Sequence, residues 1–129
     1  YCDDCQAFLR KINRPDLLDP YGGTEVIPAY PRETVLRTGA ARLCCHRLSA
    51  IGLYRWPASG CNAPIDNTRP RHPWFGVFQS AYRAVDPDNL TRLGPVRSRI
   101  RGKFATGAPP FKIMLTSALA MCWWFCPSC

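Results

Sequence analysis

The chain has 129 residues, of which seventeen are basic and nine acidic, so its formal net charge is +8. This length predicts a single domain spanning residues 1–129, and the sequence shows no internal repeat, low-complexity segment or second domain. Eight cysteines are an excess that in small proteins is typical of an extracellular or other oxidising compartment.

The cysteines predict covalent cross-links. Their number is even, which favours pairing into disulfides. A disulfide between the adjacent Cys44 and Cys45 would be strained, so we expect each of them to reach a different partner. The spacing of the cysteines leaves the connectivity open.

A zinc site is the alternative interpretation of the cysteines. The pairs Cys2-x2-Cys5 and Cys126-x2-Cys129 supply four thiolates, the usual ligand set of a structural zinc site. The two pairs lie much farther apart in the chain than is usual for such a site, and four other cysteines would be left unexplained. We therefore predict disulfides, with no resident metal or other cofactor.

The N-terminal segment predicts a short helix that begins near Asp3 and Asp4, because carboxylates suit a helix N-terminus. Four residues recur at helical spacing and would share one face: Cys5, Phe8, Leu9 and Ile12. Pro15 ends the helix. Cys2-x2-Cys5 would then lie on the first turn, with Cys5 directed into the core.

The middle of the chain gives weaker signals. Residues 17–38 are rich in turns, with candidate strands at 24–27 and 34–37, and residues 40–53 fit a helix or a strand equally well. Residues 56–73 contain four prolines and predict an irregular loop that Cys61 ties down. A second helix is predicted over residues 74–85, because apolar residues recur along one face: Trp74, Phe78, Ala81, Tyr82 and Val85.

Residues 96–104 form the most regular pattern in the sequence. Four cations alternate with apolar or small residues, as in a strand with one cationic face: Arg97, Arg99, Arg101 and Lys103. Their expected spacing resembles that of phosphates or sulfates along an extended polyanion. The alternation therefore predicts a polyanion-binding surface. The other interpretation is an edge strand whose charges prevent aggregation.

The C-terminal residues 111–125 are almost entirely apolar, with Lys112 as their one charge. About twenty residues are needed to span a bilayer, so this segment is too short to cross one comfortably. We predict that it is buried against the two helices. Contact with a membrane surface through Trp123 and Trp124 is the alternative, and it is not favoured.

Catalytic motifs are scarce. His46 and His72 are the only histidines, and no nucleophile elbow or phosphate-binding glycine loop is present. The run Cys126-Pro127-Ser128-Cys129 resembles the Cys-x-x-Cys centre of thioredoxin-like enzymes. Those centres open a helix that lowers the pKa of a thiol, whereas this run ends the sequence. The sequence therefore favours a protein without catalytic activity.

We predict a small α+β protein, cross-linked by cysteines and rich in loops, with two or three short helices and a few strands. Its favoured function is the binding of an acidic macromolecule without catalysis. The alternative is an arginine-rich structural subunit of a large ribonucleoprotein or membrane assembly in a cell or organelle, contacting other subunits. Its cysteines would either stay reduced or form a four-cysteine zinc site from the two chain ends. The oligomeric state is left open.

Overall fold

The structure is a computed structural model that describes residues 1–85 and 88–109. The elements are, in chain order, α1 (Asp3–Lys11), β1 (Val26–Ala29), β2 (Tyr54–Pro57), β3 (Pro64–Thr68), β4 (Phe75–Phe78), α2 (Gln79–Val85) and α3 (Asn89–Leu93). The four strands form one antiparallel sheet in the order β1-β4-β3-β2. The predicted fold class, a small single-domain α+β protein, is confirmed.

Helix α1 begins where the sequence predicts, but it ends at Lys11, before the predicted end at Pro15. Cys2 is its N-cap residue, and two aspartates occupy its first turn. Its apolar face forms the core, in which Phe8, Leu9 and Ile12 are buried together with Phe78 of β4. The centroids of the Phe8 and Phe78 rings lie 6.1 Å apart. This contact fixes α1 beside the sheet.

The predicted second helix is correct only in its C-terminal half. Residues 79–85 form α2, but residues 75–78 form β4, which is hydrogen-bonded between β1 and β3. Phe78 fits both patterns, because it belongs to the helical stripe and also alternates with Gly76 on the buried side of a strand. Pairing with two neighbouring strands decided between the patterns, and those partners are distant in sequence.

The prediction of an irregular loop over residues 56–73 is wrong. Strands β2 and β3 form an antiparallel hairpin there, with an irregular register between Trp56 and Pro57. The prolines are accommodated because Pro57 lies at this irregularity and Pro64 is the first residue of its strand. Cys61 lies exposed in the connecting turn.

Strands β1 and β4 approach closely at Gly76. A Cβ atom at this position would lie 2.5 Å from Cγ1 of Val26, which is closer than real side chains come. Gly76 therefore allows β1 to pair with β4 with the observed register, in which Val26 is opposite Phe78. Strand β1 overlaps the predicted strand at 24–27 but is shifted toward the C-terminus.

Residues 31–46 contain no helix or strand longer than a single 3-10 turn, so the strand predicted at 34–37 is absent. Residues 40–53 form neither an α-helix nor a strand of the main sheet. Isolated bridges instead join Leu43 to Ala58 and His46 to Arg55 along the outer edge of β2. Cys44 and Cys45 are exposed on this edge.

All five cysteines among the described residues are free thiols: Cys2, Cys5, Cys44, Cys45 and Cys61. The cysteine cross-links stay a prediction, since the other three cysteines lie outside the described residues, as does the apolar segment 111–125. Its predicted burial and its alternative contact with a membrane also stay predictions. Within residues 1–85 and 88–109, no helix is long and apolar enough to cross a membrane.

Candidate functional site

The cationic residues of segment 96–104 do not lie on a strand. Residues 96–101 are irregular, and Gly102–Phe104 form a 3-10 turn. None of the four strands pairs with this segment, and Arg101 has a left-handed φ of 57°, which interrupts an extended chain. A strand requires a partner for its backbone hydrogen bonds, and alternation of side chains does not supply one.

The structure therefore divides the four predicted polyanion-binding residues into two pairs. Arg97 and Arg99 line a groove, while Arg101 and Lys103 are exposed beyond it. Arg97 is also exposed, and Arg99 is partly buried. The single cationic strand face predicted from the sequence is not formed.

Three hydrogen bonds to backbone carbonyl oxygens hold residues 100–106 against the N-terminal part of the chain. The backbone nitrogen of Tyr1 donates to the carbonyl oxygen of Ile100 at 3.0 Å, and Nε2 of the buried Gln6 donates to that of Phe104 at 2.9 Å. The N–H of Thr106 donates to the carbonyl oxygen of Tyr21 at 2.9 Å. The segment is thus fixed across the beginning of α1.

The groove lies between this segment and the surface formed by α1 and β1, and has a volume of about 620 Å³. It carries charges of both signs. The cations on its lining are Arg83, Arg97 and Arg99, and the acids are Asp16, Asp19 and Glu25. Its lining is therefore balanced in formal charge, and the positive excess of the segment lies outside the groove.

Tyr1 joins the two sides of the groove. Its phenol group interacts with the Asp19 carboxylate and the Arg99 guanidinium. Burial and the negative charge of Asp19 raise the pKa of Tyr1, and Arg99 opposes this effect. Asp19 itself is held in a tight turn, where its Oδ1 accepts hydrogen bonds from the N–H groups of Tyr21 and Gly23 at 2.8 and 2.7 Å.

Two thiols belong to the lining of the groove. Cys2 and Cys5 both line it, and their side chains interact with each other. The hydrogen bond from Cys5 lowers the pKa of the Cys2 thiol to about 6, although burial acts against it. The same hydrogen bond, with burial, raises the pKa of the Cys5 thiol. A negative charge on this pair therefore resides on Cys2.

A buried arginine lies behind the thiols. Arg55 of β2 is 1 % exposed, and its Nη1 donates to Cys5 Sγ at 3.7 Å and to Oδ1 of Asn67 at 3.1 Å. Its guanidinium carbon lies 5.1 Å from the centroid of the Phe8 ring. No carboxylate of the described residues forms an ion pair with it. A buried cation normally has an anionic partner.

The described residues contain no group of three or more His, Cys, Asp or Glu side chains that could hold a metal ion. The zinc site considered from the sequence would combine Cys2 and Cys5 with Cys126 and Cys129, and the second pair lies outside the described residues. The prediction that the protein has no resident cofactor therefore stays a prediction.

Sequence reasoning placed Cys2 and Cys5 on the first turn of a helix but assigned no redox chemistry to them. The signal was present, because a Cys-x-x-Cys pair at a predicted helix N-terminus is a favourable setting for a thiolate. Arg55 could not have been identified, since nothing in the sequence distinguishes it from the other arginines. Its burial comes with its contacts to Cys5 and Phe8 of α1 and to Asn67 of β3.

These features define a small α+β protein in which a thiol pair and a cationic segment border one groove. The chain belongs to DUF6151, a family of unknown function, whose model matches residues 1–122. No curated protein matches the chain, and no solved structure does.

Proposed function

We propose that the protein binds an acidic macromolecule, without catalysis, through its basic segment, which we define as Arg92, Arg97, Arg99, Arg101 and Lys103. The observation that carries the proposal is the distribution of charge. Residues 1–88 contain eleven of the seventeen basic residues and all nine acidic ones, whereas residues 89–129 contain six basic residues and no acidic one. The positive excess is therefore concentrated after Asp88.

The way the segment is held supports this proposal. Backbone contacts of Ile100 and Phe104 with the N-terminal residues keep the chain in place, while Arg97, Arg101 and Lys103 are exposed. Cations that are already positioned lose less conformational freedom when a polyanion binds. Arginine also matches phosphate and sulfate groups with two parallel hydrogen bonds.

A salt titration with a matched control tests the proposal. The test variant carries Arg97→Ala, Arg101→Ala and Lys103→Ala, and the control carries Arg37→Ala, Arg42→Ala and Arg69→Ala, which are exposed elsewhere. Both variants lose the same net charge. Arg99 is retained in both, because it also contacts Tyr1.

Binding of heparin and of a single-stranded homopolymer is measured by anisotropy at several salt concentrations. Each phosphate contact contributes about 0.7 to a log–log salt slope on a single strand. We expect the test variant to lose about two units of slope, and the control to keep the wild-type value. Equal losses in both variants would show that only net charge matters, and would contradict the proposal.

A further inference from the structure

We propose that Cys2 and Cys5 form a redox-active dithiol that exchanges with a low-molecular-weight disulfide in the groove. Cys2 would be the attacking thiol, and Cys5 the thiol that resolves the mixed disulfide. This activity goes beyond polyanion binding, because the reacting atoms are the sulfurs of Cys2 and Cys5, which line the groove.

The position of the pair supports these roles. Cys2 is the N-cap residue of the nine-residue helix α1, and Cys5 lies three residues later on the first turn. The N–H groups of this turn favour a thiolate at the N-cap. Both thiols line the groove, whose volume of about 620 Å³ is that of a site for a small molecule.

Arg55 is the independent observation that points to negative charge on sulfur. Arg55 is 1 % exposed, and among the described residues the one ionisable side chain to which its guanidinium is hydrogen-bonded is Cys5. Once Cys2 is bound in a disulfide, its negative charge is gone and no longer opposes ionisation of Cys5. Arg55 then remains as the cation that stabilises a Cys5 thiolate, the form required for the second step.

The other charged groups around the pair have opposite effects on the ionisation of Cys2. The Cys2 thiol donates to Oδ1 of Asp3 at 3.9 Å, and this contact favours the neutral thiol. Arg101 and the backbone N–H groups of Asp4 and Cys5 lower the pKa of Cys2. These groups belong to α1 and to segment 96–104, whereas Arg55 belongs to strand β2 of the sheet.

The exchange is balanced as follows. The Cys2 thiolate attacks one sulfur of the substrate disulfide, forming a mixed disulfide and releasing the first substrate thiolate, which takes up a proton. Cys5 loses its proton to solvent and attacks Cys2 Sγ, which releases the second substrate thiolate and forms the Cys2–Cys5 disulfide. The substrate disulfide gains two electrons, and the dithiol is oxidised by two. A small-molecule dithiol such as dithiothreitol returns the pair to its reduced form.

Peptide mass analysis of the full chain tests this proposal. The reduced protein is treated with bis(2-hydroxyethyl) disulfide, a neutral probe, then quenched with acid, alkylated and digested with trypsin. Cleavage after Arg10 releases residues 1–10, which contain Cys2 and Cys5 and no other cysteine. Reactions at these two thiols can therefore be followed despite the six others.

We expect the wild type to yield residues 1–10 with an internal disulfide. Cys5→Ser should stop at a mixed disulfide on Cys2, and Cys2→Ser should react at about one tenth of the wild-type rate or less. Cys61→Ser, which changes an exposed cysteine elsewhere, should behave as the wild type. Circular dichroism confirms that each variant is folded.

Two results would overturn the proposal. One is equal reaction of the folded Cys2→Ser and Cys5→Ser variants, since this would remove the distinction between attacking and resolving thiols. The other is a protein that carries zinc as isolated and whose residues 1–10 react only after treatment with a chelator. The pair would then be part of a metal site.

Discussion

Arg55 Nη1 lies 3.7 Å from Cys5 Sγ, so a buried cation of strand β2 contacts the second thiol of a Cys-x-x-Cys pair on helix α1. The contact joins residues fifty positions apart in the chain. In the proposed exchange, Arg55 is a positioning residue that acts through Cys5. It also makes the proposed thiol chemistry separable into two steps.

Replacement of Arg55 should slow the second step. In Arg55→Met the Cys5 thiolate loses its neighbouring cation, so we expect the mixed disulfide on Cys2 to persist longer, and the pH profile of its resolution to move to higher pH. Arg55→Lys keeps the charge and should restore part of the rate. The measurement is the lifetime of the mixed disulfide on residues 1–10 at several pH values.

If Arg55→Met acted only by destabilising the fold, the variants of Asn67 would give a different result. Arg55→Met leaves Oδ1 of Asn67 without its donor, at a cost of about 1–3 kcal/mol in the free energy of unfolding. Adding Asn67→Leu removes this unpaired group and should recover part of the stability. If the double variant also recovers the wild-type rate of resolution, Arg55 does not act on Cys5.

Asp66 is expected to destabilise the folded protein at neutral pH. Burial raises its pKa to about 6, and its buried Oδ1 has no hydrogen-bond partner within residues 1–85 and 88–109. The folded state therefore binds a proton more tightly than the unfolded state, and the free energy of unfolding falls as the pH rises from about 4 to 6. Asp66→Asn should be more stable than the wild type at about pH 8, and the two should converge near pH 3.

The expected gain is about 1 kcal/mol, since Asp66 is partly exposed and solvent screening reduces the full effect of the shift. Urea unfolding at the two pH values measures it. Asp16→Asn is the control with the opposite sign, because the hydrogen bond from Arg14 lowers the pKa of Asp16. Its stabilising effect is present at neutral pH and lost in acid. A gain for Asp66→Asn that does not depend on pH would contradict this account.

Gly76→Ala should destabilise the sheet by about 1–3 kcal/mol, because the new Cβ would lie 2.5 Å from Val26 Cγ1. The same substitution in a Val26→Ala background should cost much less, since the opposing methyl group is removed. A double-mutant cycle from urea unfolding gives the coupling between the two positions. Additive effects would show that the close approach of β1 and β4 is not what requires glycine.

Sequence reasoning succeeded where local pattern and packing agree. Three local signals favour the same helix: the carboxylates of Asp3 and Asp4, the apolar stripe that includes Phe8, and the stop at Pro15. Helix α1 is that helix. The same reasoning failed over residues 75–78 and 96–104. Phe78 satisfies a helical and a strand pattern together, and the basic alternation has no strand beside it.

The sequence by itself determined the first helix, the small α+β class and the concentration of positive charge after Asp88, because these depend on composition and on neighbours within a few turns. Only the tertiary structure decided which residues share a site. Burial of Arg55 behind Cys5, and the placement of Ile100 over Tyr1, depend on contacts between segments fifty and ninety-nine positions apart. Such contacts form when the apolar face of α1 packs on the sheet, and a local sequence pattern does not predict them.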